Sequence, residues 1–230
     1  HTPYHVTERE IALDSETTSW QEMEQAEKPF GGFQAVGTDG RGLAFISEGG
    51  LHEGGVMDDR RRTMQVTLLR SFRKTVGTDG ERDGLERGRI EYRYALLPYA
   101  GLLPETEVIG EMDRLQSGLL TRQSGPRPSG YPPLDQDGTA SLSFVRQVDE
   151  TLAISAIKPG RDGEGLVIRL WNPAGETRRE TLRFFRPVAE ATKLKLSEET
   201  ASDQTGVEVH GREVTVQAGG WEIVTVGVKV

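Results

Sequence analysis

The sequence contains no cysteine, and this absence removes several kinds of chemistry at once. Thiol nucleophiles, disulfide bonds and cysteine-based metal sites are all excluded. A chain without disulfides is compatible with a reducing compartment, where structural disulfides are rare. We therefore expect a cytoplasmic location.

Long apolar runs and a net positive charge are also missing. No stretch approaches the roughly 20 apolar residues that a membrane-spanning helix needs, and no charged start followed by an apolar stretch marks a signal peptide. The formal net charge of -8 disfavours binding to nucleic acid or to an anionic membrane. Basic partners and neutral ones, such as sugars, remain open, and so does a homo-oligomer. The chain begins with His1 rather than Met, from which we expect a processed piece or a fragment of a longer protein.

Histidine is scarce, and the residues present are scattered: His1, His5, His52 and His210. No pair has the spacing that places two imidazoles on one face at a zinc ion. Asp79 with Asp83, and Asp135 with Asp137, resemble half of a calcium loop without its further acidic ligands, which favours solvated turns. No G-x-S-x-G stands between a strand and a helix, and paired catalytic carboxylates cannot be picked out among 36 acidic residues. None of these patterns identifies a catalytic residue, a metal site or a cofactor in this chain.

Short alternating segments separated by glycine make up most of what is present. RIEYRYALL, from Arg89, places Ile90, Tyr92, Tyr94 and Leu96 on one face, which is typical of a half-buried strand. Similar segments are GLAFIS from Gly42, TMQVTLLRSF from Thr63, ASLSFVRQV from Ala140, TLAISAI from Thr151, GLVIRLW from Gly165, ETLRFF from Glu180, ATKLKL from Ala191, VEVHGREVTVQ from Val207 and WEIVTVGVKV from Trp221. About ten strands with turn residues between neighbours predict an all-β fold, most naturally a large β-sandwich.

One segment has helical rather than alternating periodicity. In ETEVIGEMDRLQSGLL, from Glu105, the residues Val108, Met112, Leu115 and Leu119 recur at helical spacing, which predicts one short amphipathic helix. The Pro- and Gly-rich stretch that follows predicts a linker near residues 121–138. We expect a single domain over residues 1–230, in which this linker joins two stacked sub-sheets.

Two glycine-rich motifs are interpreted as turns. A phosphate loop requires a helix after its glycines, whereas GRDGEG at 160–165 is followed by the strand pattern of GLVIRLW, so a hairpin is predicted. The pentapeptide VGTDG occurs at Val36 and again at Val76. Asp and Gly stand where tight turns need them, so hairpin chemistry explains both copies better than duplication does.

Arg70 is the one residue that the pattern marks for function. It alternates with Met64, Val66 and Leu68, so strand geometry directs its guanidinium toward the side of the apolar residues. A buried charge without a partner is unfavourable, so Arg70 must be ion-paired, lie at the rim or contact a polar ligand. Structural pairing is the first interpretation, and ligand contact stays open.

The tryptophans raise a similar choice. Trp20, Trp171 and Trp221 could each offer a flat surface for a sugar. Large aromatic residues in a sandwich are more often part of the core, which is the expectation here.

Four blocks of the sequence resemble glycoside hydrolase family 38, the α-mannosidases. They are GLAFISEGGLHEGGVMDDRRRTMQVTLLRSF, EYRYALLPYAG, AISAIKPGRDGEGLVIRLWNPAGE and WEIVTVGV, in the order of the family's β-rich C-terminal region. Three positions depart from the family pattern. Tyr99 stands where His is usual, Arg161 replaces an acid, and Trp221 replaces the usual aromatic or proline context.

The resemblance implies a sandwich of the large type also found in galactose mutarotase-like domains. It further implies a parent enzyme that hydrolyses α-mannosidic bonds with retention, through a carboxylate nucleophile and a zinc ion, both held by an N-terminal barrel. That barrel and a mannose-containing carbohydrate would be the partners, and this chain alone would be inactive. Arg70 is the position that best matches a basic residue by which the family's β-domain approaches the substrate.

Two other classes of function stay open at this point. A free-standing carbohydrate-binding or scaffold module would bind glycans without hydrolysing them. Alternatively, the sandwich would carry its own glycosidase or epimerase chemistry, although a shared fold does not imply a shared activity.

Overall fold

The computed structural model describes residues 1–13, 25–71, 85, 87–121, 143–161 and 163–230. In these residues the chain forms the strands β1 (Lys28–Thr38), β2 (Arg41–Val56), β3 (Met64–Thr67) and β4 (Tyr94–Ala100), the helix α1 (Glu105–Ser117), and the strands β5 (Val145–Gln147), β6 (Ala153–Pro159), β7 (Leu166–Trp171), β8 (Arg178–Phe184), β9 (Glu190–Leu194), β10 (Val207–His210), β11 (Glu213–Ala218) and β12 (Ile223–Lys229). The strands form three antiparallel sheets in this part of the chain, so the predicted all-β class with a short helix is confirmed. No helix among the described residues is long and apolar enough to cross a membrane.

The chain divides into two compact units, unit 1 over His1–Ser117 and unit 2 over Gly118–Val230. Unit 1 contains β1 to β4 and α1, and unit 2 contains β5 to β12. Of the predicted linker near 121–138, only residue 121 lies among the described residues. The single domain over 1–230 therefore stays a prediction.

Unit 1 is built on one antiparallel sheet around the long strand β2. β1 pairs along one side of β2, while β3 and β4 pair with it at different positions. Asp39 and Gly40, both with positive φ, form the turn between β1 and β2, which confirms the hairpin predicted for the first VGTDG copy. The second copy, from Val76, lies outside the described residues. Strand β1 was not predicted from the sequence, because its paired glycines and the register shift between Gly31 and Phe33 interrupt the alternation.

Helix α1 packs against strands β1, β2 and β4. Its buried side chains are Val108, Ile109 and Met112, and Gly32 leaves the space that the Met112 sulfur occupies. The predicted helix is therefore confirmed, with one correction. The helix ends at Ser117, so Leu119 lies beyond it and is almost fully exposed.

The apolar face predicted for RIEYRYALL lies on the opposite side from the expected one. The strand begins only at Tyr94, and register pairs Ala95 with Ile46 and Leu97 with Ala44, whose side chains are fully buried. The alternate residues are exposed instead, Tyr94 and Leu96 each by 56%. We call Ile90, Tyr92, Tyr94 and Leu96 the β4 strip. The alternation was real, but it did not indicate which side faces the core.

Unit 2 is a sandwich of two four-stranded antiparallel sheets, with the strand orders β10-β11-β8-β5 and β6-β7-β12-β9. Side chains from both sheets form one buried cluster: Leu152, Ile168, Leu170, Leu182, Phe184, Val188, Val214, Val216, Ala218, Val224, Val226 and Val228. The residues of this cluster alternate along β7, β8, β11 and β12, as residues on one face of a strand do. The predicted β-sandwich is thus confirmed for this unit.

The GRDGEG motif joins β6 to β7 as the sequence predicts. The two strands pair antiparallel up to Pro159 and Leu166, and the amide of Gly163 donates to the carbonyl of Gly160 at 3.0 Å. Gly165 has a φ of 70°, and a Cβ there would lie 2.5 Å from the Val228 carbonyl oxygen. The glycine is needed for this close approach, so the motif is a hairpin and not an anion cradle.

Candidate functional site

Arg70 lies at an exposed rim of unit 1, just beyond the end of β3. The predicted strand over residues 63–72 is shorter than expected, because β3 ends at Thr67. The guanidinium Nη2 of Arg70 is 3.2 Å from Glu27 Oε2 and 2.5 Å from Glu53 Oε2, and the side chain is 56% exposed. Arg70 is therefore ion-paired as well as at the rim, and not directed into the core.

Glu27, Glu53 and Arg70 come from three separate segments of the sheet. Glu53 belongs to β2 and is the register partner of Thr67 in β3, while Glu27 directly precedes β1. The hydroxyl of Thr67 donates to Glu27 Oε1 at 3.3 Å, which helps to fix that carboxylate. Both ion pairs of Arg70 use the same nitrogen, so one cation meets two acids at the rim.

The histidines His1, His52 and His210 contact side chains of their own unit. His52 Nε2 lies 2.7 Å from the Ser47 hydroxyl, and its ring is 5.7 Å from that of Phe30. The ring of His1 stacks on Phe33 at 5.0 Å. His210 is exposed, 3.8 Å from Glu208.

Among the described residues, no group of three His, Cys, Asp or Glu side chains is placed to hold a metal ion. The described side chains therefore offer no set of ligands for a zinc ion. The acidic pairs Asp79 with Asp83 and Asp135 with Asp137 lie outside the described residues.

Glu180 is a fully buried acid that sequence analysis did not single out. It stands in β8 in phase with the core residues Leu182 and Phe184. Its carboxyl oxygens accept hydrogen bonds from backbone amides of the connection between β5 and β6: Val148 at 3.2 Å, Asp149 at 3.2 Å, Thr151 at 2.8 Å and Leu152 at 3.4 Å. The Gln147 side chain donates a further bond at 3.1 Å.

The function of Glu180 is to fasten a connection that crosses between the two sheets of unit 2. β5 belongs to one sheet and β6 to the other, so the backbone turning between them leaves both ladders, although the Val148 amide still donates to the Thr181 carbonyl of β8 at 2.9 Å. The carboxyl group replaces the missing acceptors. A charged residue in phase with core residues was the available signal, and it is the same signal that marked Arg70.

Asn172 performs a similar task between two other connections of unit 2. Its fully buried side chain donates to the carbonyls of Glu176 at 2.7 Å and Gly219 at 2.9 Å, and accepts from the amide of Ala174 at 3.1 Å. It thereby ties the segment that follows β7 to the segment between β11 and β12. Trp221 lies in the second of these segments.

The tryptophans of unit 2 have opposite surroundings. Trp171 is 5% exposed, as expected for a core residue, whereas Trp221 is 51% exposed, so the core expectation is wrong for it. Its backbone φ of 55° is unusual for a bulky residue, and its amide donates to the Ala174 carbonyl at 2.9 Å. Trp20 lies outside the described residues.

Part of unit 2 is similar to a known protein family. Residues 151–226 match the model of the family described as the glycosyl hydrolases family 38 C-terminal beta sandwich domain. This segment is a family 38 C-terminal β-sandwich domain. The two sequence blocks that carry the resemblance in unit 2, AISAIKPGRDGEGLVIRLWNPAGE and WEIVTVGV, begin inside the matched residues. Asn172, Glu180 and Trp221 all belong to the family 38 domain.

The fold of the chain is similar to two solved structures from Enterococcus faecalis. An alpha-mannosidase from strain V583 superposes with a TM-score of 0.75 at 16% identity, over 97% of this chain and 23% of the other. A protein in glycosyl hydrolase family 38 gives a TM-score of 0.69 at 16% identity, over 87% of this chain and 22% of the other. At this identity the likeness concerns the fold. The chain spans less than a quarter of either structure, and it matches no curated protein.

The resemblance seen in the sequence is confirmed, with different support in the two units. The family 38 domain of unit 2 is matched through its sequence, whereas the blocks in unit 1 lie outside residues 151–226 and are reached by the structural similarity. Arg70 belongs to the latter part. Its contact with substrate stays a prediction.

Proposed function

We propose that this chain is the C-terminal part of a retaining α-mannosidase, which hydrolyses α-mannosidic bonds in mannose-containing carbohydrates. The match of residues 151–226 to the family 38 C-terminal domain carries this proposal. The nucleophilic carboxylate and the zinc ion belong to an N-terminal barrel of the same enzyme. Residues 1–230 then act as one C-terminal region, in the cytoplasm, and hold the barrel in place.

The β4 strip supports the bracing role. Tyr94 stacks on Phe45 with ring centroids 5.3 Å apart, yet it is more than half exposed, as is Leu96. Exposed apolar residues grouped on one strand face are typical of an interaction surface. This chain spans less than a quarter of either solved structure similar to it, so the catalytic part of the same polypeptide is the occupant that we propose for the strip.

Arg70 is proposed to reach the glycan from the rim of unit 1. Its planar guanidinium can donate two parallel hydrogen bonds to vicinal sugar hydroxyls. Glu27 and Glu53 hold the group ready, and the half-exposed ion pairs leave it accessible.

A hydrolysis assay on 4-nitrophenyl α-mannoside tests the proposed function. We expect no turnover by this chain, with or without added zinc, and turnover by the longer polypeptide that includes the barrel. Turnover by this chain alone would contradict the proposal. So would an upstream coding sequence without a barrel that clusters His and Asp residues.

Replacing Arg70 in the longer enzyme tests its role. Arg70→Ala removes a hydrogen-bond donor to the substrate and is expected to lower kcat/KM about tenfold. Loss of an exposed ion pair changes the free energy of unfolding by less than about 1 kcal/mol, so thermal stability is expected to hold. Arg183→Ala is the matched control, since Arg183 is 51% exposed and paired with Glu213.

The two variants separate contact with substrate from structural pairing. Unchanged kinetics in Arg70→Ala would remove Arg70 from the glycan site. A variant that loses activity only because it unfolds would assign the residue to the packing of unit 1, and equal losses in both arginine variants would mean a general effect of charge.

A further inference from the structure

Trp221 lies where unit 2 crosses from one sheet to the other. It stands between β11 and β12, which belong to different sheets, and its backbone adopts the left-handed conformation with a φ of 55°. A bulky side chain rarely adopts this conformation, which persists only when the surrounding structure enforces it. About half of the residue is exposed, in contrast to the buried Trp171 of the same unit.

Two glycines, Gly175 and Gly220, allow the Trp221 ring and its segment to approach the neighbouring backbone closely. A Cβ at Gly175 would lie 3.0 Å from Cζ2 and Cη2 of the indole, so the ring rests against this glycine. A Cβ at Gly220 would lie 2.0 Å from the Gly175 carbonyl oxygen, so the two segments touch through their backbones. Asn172 fastens both segments through its buried amide. The ring is therefore a fixed and partly exposed surface.

Each of the two contacting residues, Gly175 and Trp221, is followed in the sequence by a glutamate. Glu176, which follows Gly175, accepts a hydrogen bond from Arg178 Nε at 2.8 Å. Glu222, which follows Trp221, accepts a hydrogen bond from the amide of Gly219 at 2.7 Å, and its Oε1 lies 3.6 Å from Lys193 Nζ. The hydrogen bond from Arg178 lowers the pKa of Glu176, so its carboxylate remains an acceptor in mildly acidic solution.

A partly exposed aromatic face with acidic neighbours in the sequence suits a ligand that is itself apolar on one side and polar at its edge. The C–H groups on one face of a pyranose ring carry partial positive charge and match the negative face of an indole, while its hydroxyls reach the flanking acids. A protein partner would favour a wider apolar surface, whereas the sequence neighbours of Trp221 are two glycines and an acid.

We propose that Trp221 is the stacking surface of a carbohydrate-binding site on the family 38 domain itself, for a neutral hexopyranose unit of a glycan. The site would act by binding and not by hydrolysis, in addition to the cleft of the catalytic barrel. This inference goes beyond the proposed function and does not depend on it.

Protection of the indole from oxidation tests the site in the unaltered chain. Limited N-bromosuccinimide treatment is followed by mass spectrometry of tryptic peptide 213–229, in which Trp221 is the one tryptophan. The probes are methyl α-mannopyranoside, methyl β-glucopyranoside and methyl α-galactopyranoside, with sorbitol as an open-chain polyol control. We expect at least one hexopyranoside to protect Trp221 and sorbitol to have no effect.

Calorimetric titration of variants with the protecting sugar localises the binding. Trp221→Ala is expected to weaken it about tenfold or more, and Trp221→Phe to retain part of it, because phenylalanine offers a smaller aromatic face. Phe144→Ala is the matched control, since Phe144 is an exposed aromatic of the same unit at 63%.

Three results would overturn the site. One is oxidation of Trp221 that no hexopyranoside slows, and this measurement needs no variant to fold. Another is sugar binding that survives in a folded Trp221→Ala. The last is an equal loss in Phe144→Ala, or equal protection by sorbitol, which would mark non-specific association. Hydrolysis assays on the longer enzyme have no bearing on these outcomes, so this inference and the proposed function can fail separately.

Discussion

The two units of this chain bury their apolar residues in different ways. Unit 2 closes a core between two sheets, with Ile168, Leu170 and Val226 fully buried. Unit 1 has one sheet, which α1 covers, and the β4 strip remains exposed among the described residues. Apolar alternation therefore means a closed core in one unit and an exposed strip in the other.

The charged residues show the same contrast. Glu180 and Arg70 are each in phase with apolar neighbours in the sequence, and a charge at such a position requires partners when it is buried. Glu180 is fully buried and bonded to several backbone amides, whereas Arg70 is exposed and meets two acids at a rim. One pattern thus gave a structural anchor in unit 2 and an accessible guanidinium in unit 1.

Leucine truncation in each unit should give the largest difference. Leu170→Ala opens a cavity in the closed core and is expected to lower the free energy of unfolding by about 3–4 kcal/mol. Leu96→Ala in the β4 strip removes exposed surface and is expected to change it by no more than about 0.5 kcal/mol. Urea denaturation followed by far-ultraviolet circular dichroism measures both.

In the longer enzyme that we propose, a substitution in the β4 strip is expected to have a large effect. There Leu96→Glu should weaken the association of the two parts, because a charge enters an apolar contact. Leu196→Glu, an exposed leucine in unit 2, is the control and should leave the association intact. Equal behaviour of the two glutamate variants would remove the strip as an interface.

Loss of the Glu180 carboxyl group is expected to have nearly as large an effect. Glu180→Ala removes the carboxylate acceptor of the Thr151 and Leu152 amides and should lower the free energy of unfolding by about 3 kcal/mol. Glu213→Ala breaks only a partly exposed ion pair with Arg183 and should cost less than about 1 kcal/mol. If denaturation gave similar values for both, the amides around Glu180 would have found other acceptors.

Alanine in place of glycine should have opposite signs in the two units. Gly220→Ala forces a Cβ against the Gly175 carbonyl and is expected to destabilise unit 2 by about 2 kcal/mol. Gly110→Ala, inside α1 with open space around it, should stabilise unit 1 by about 0.5–1 kcal/mol. Thermal melts of the two variants provide the measurement, and a stabilised Gly220→Ala would mean that the two segments separate easily.

The elements predicted well were those whose local pattern needs no distant partner. The first VGTDG turn and the GRDGEG hairpin follow from residues that accept positive φ, and α1 from its helical spacing. Strand β1 was missed because a bulge hides its alternation, and β3 was predicted too long because TMQVTLLRSF keeps alternating past the point where pairing with β2 ends.

The sequence by itself determined the all-β class, the hairpins, the helix and the resemblance to family 38, because turn chemistry and hydrophobic period act between near neighbours. Tertiary structure alone decided which face of β4 is exposed, that Arg70 meets Glu27 and Glu53, and that Trp221 rests on Gly175. These contacts join residues that are far apart in the chain. Their partners are set by strand register and by the crossings between sheets, which no local pattern records.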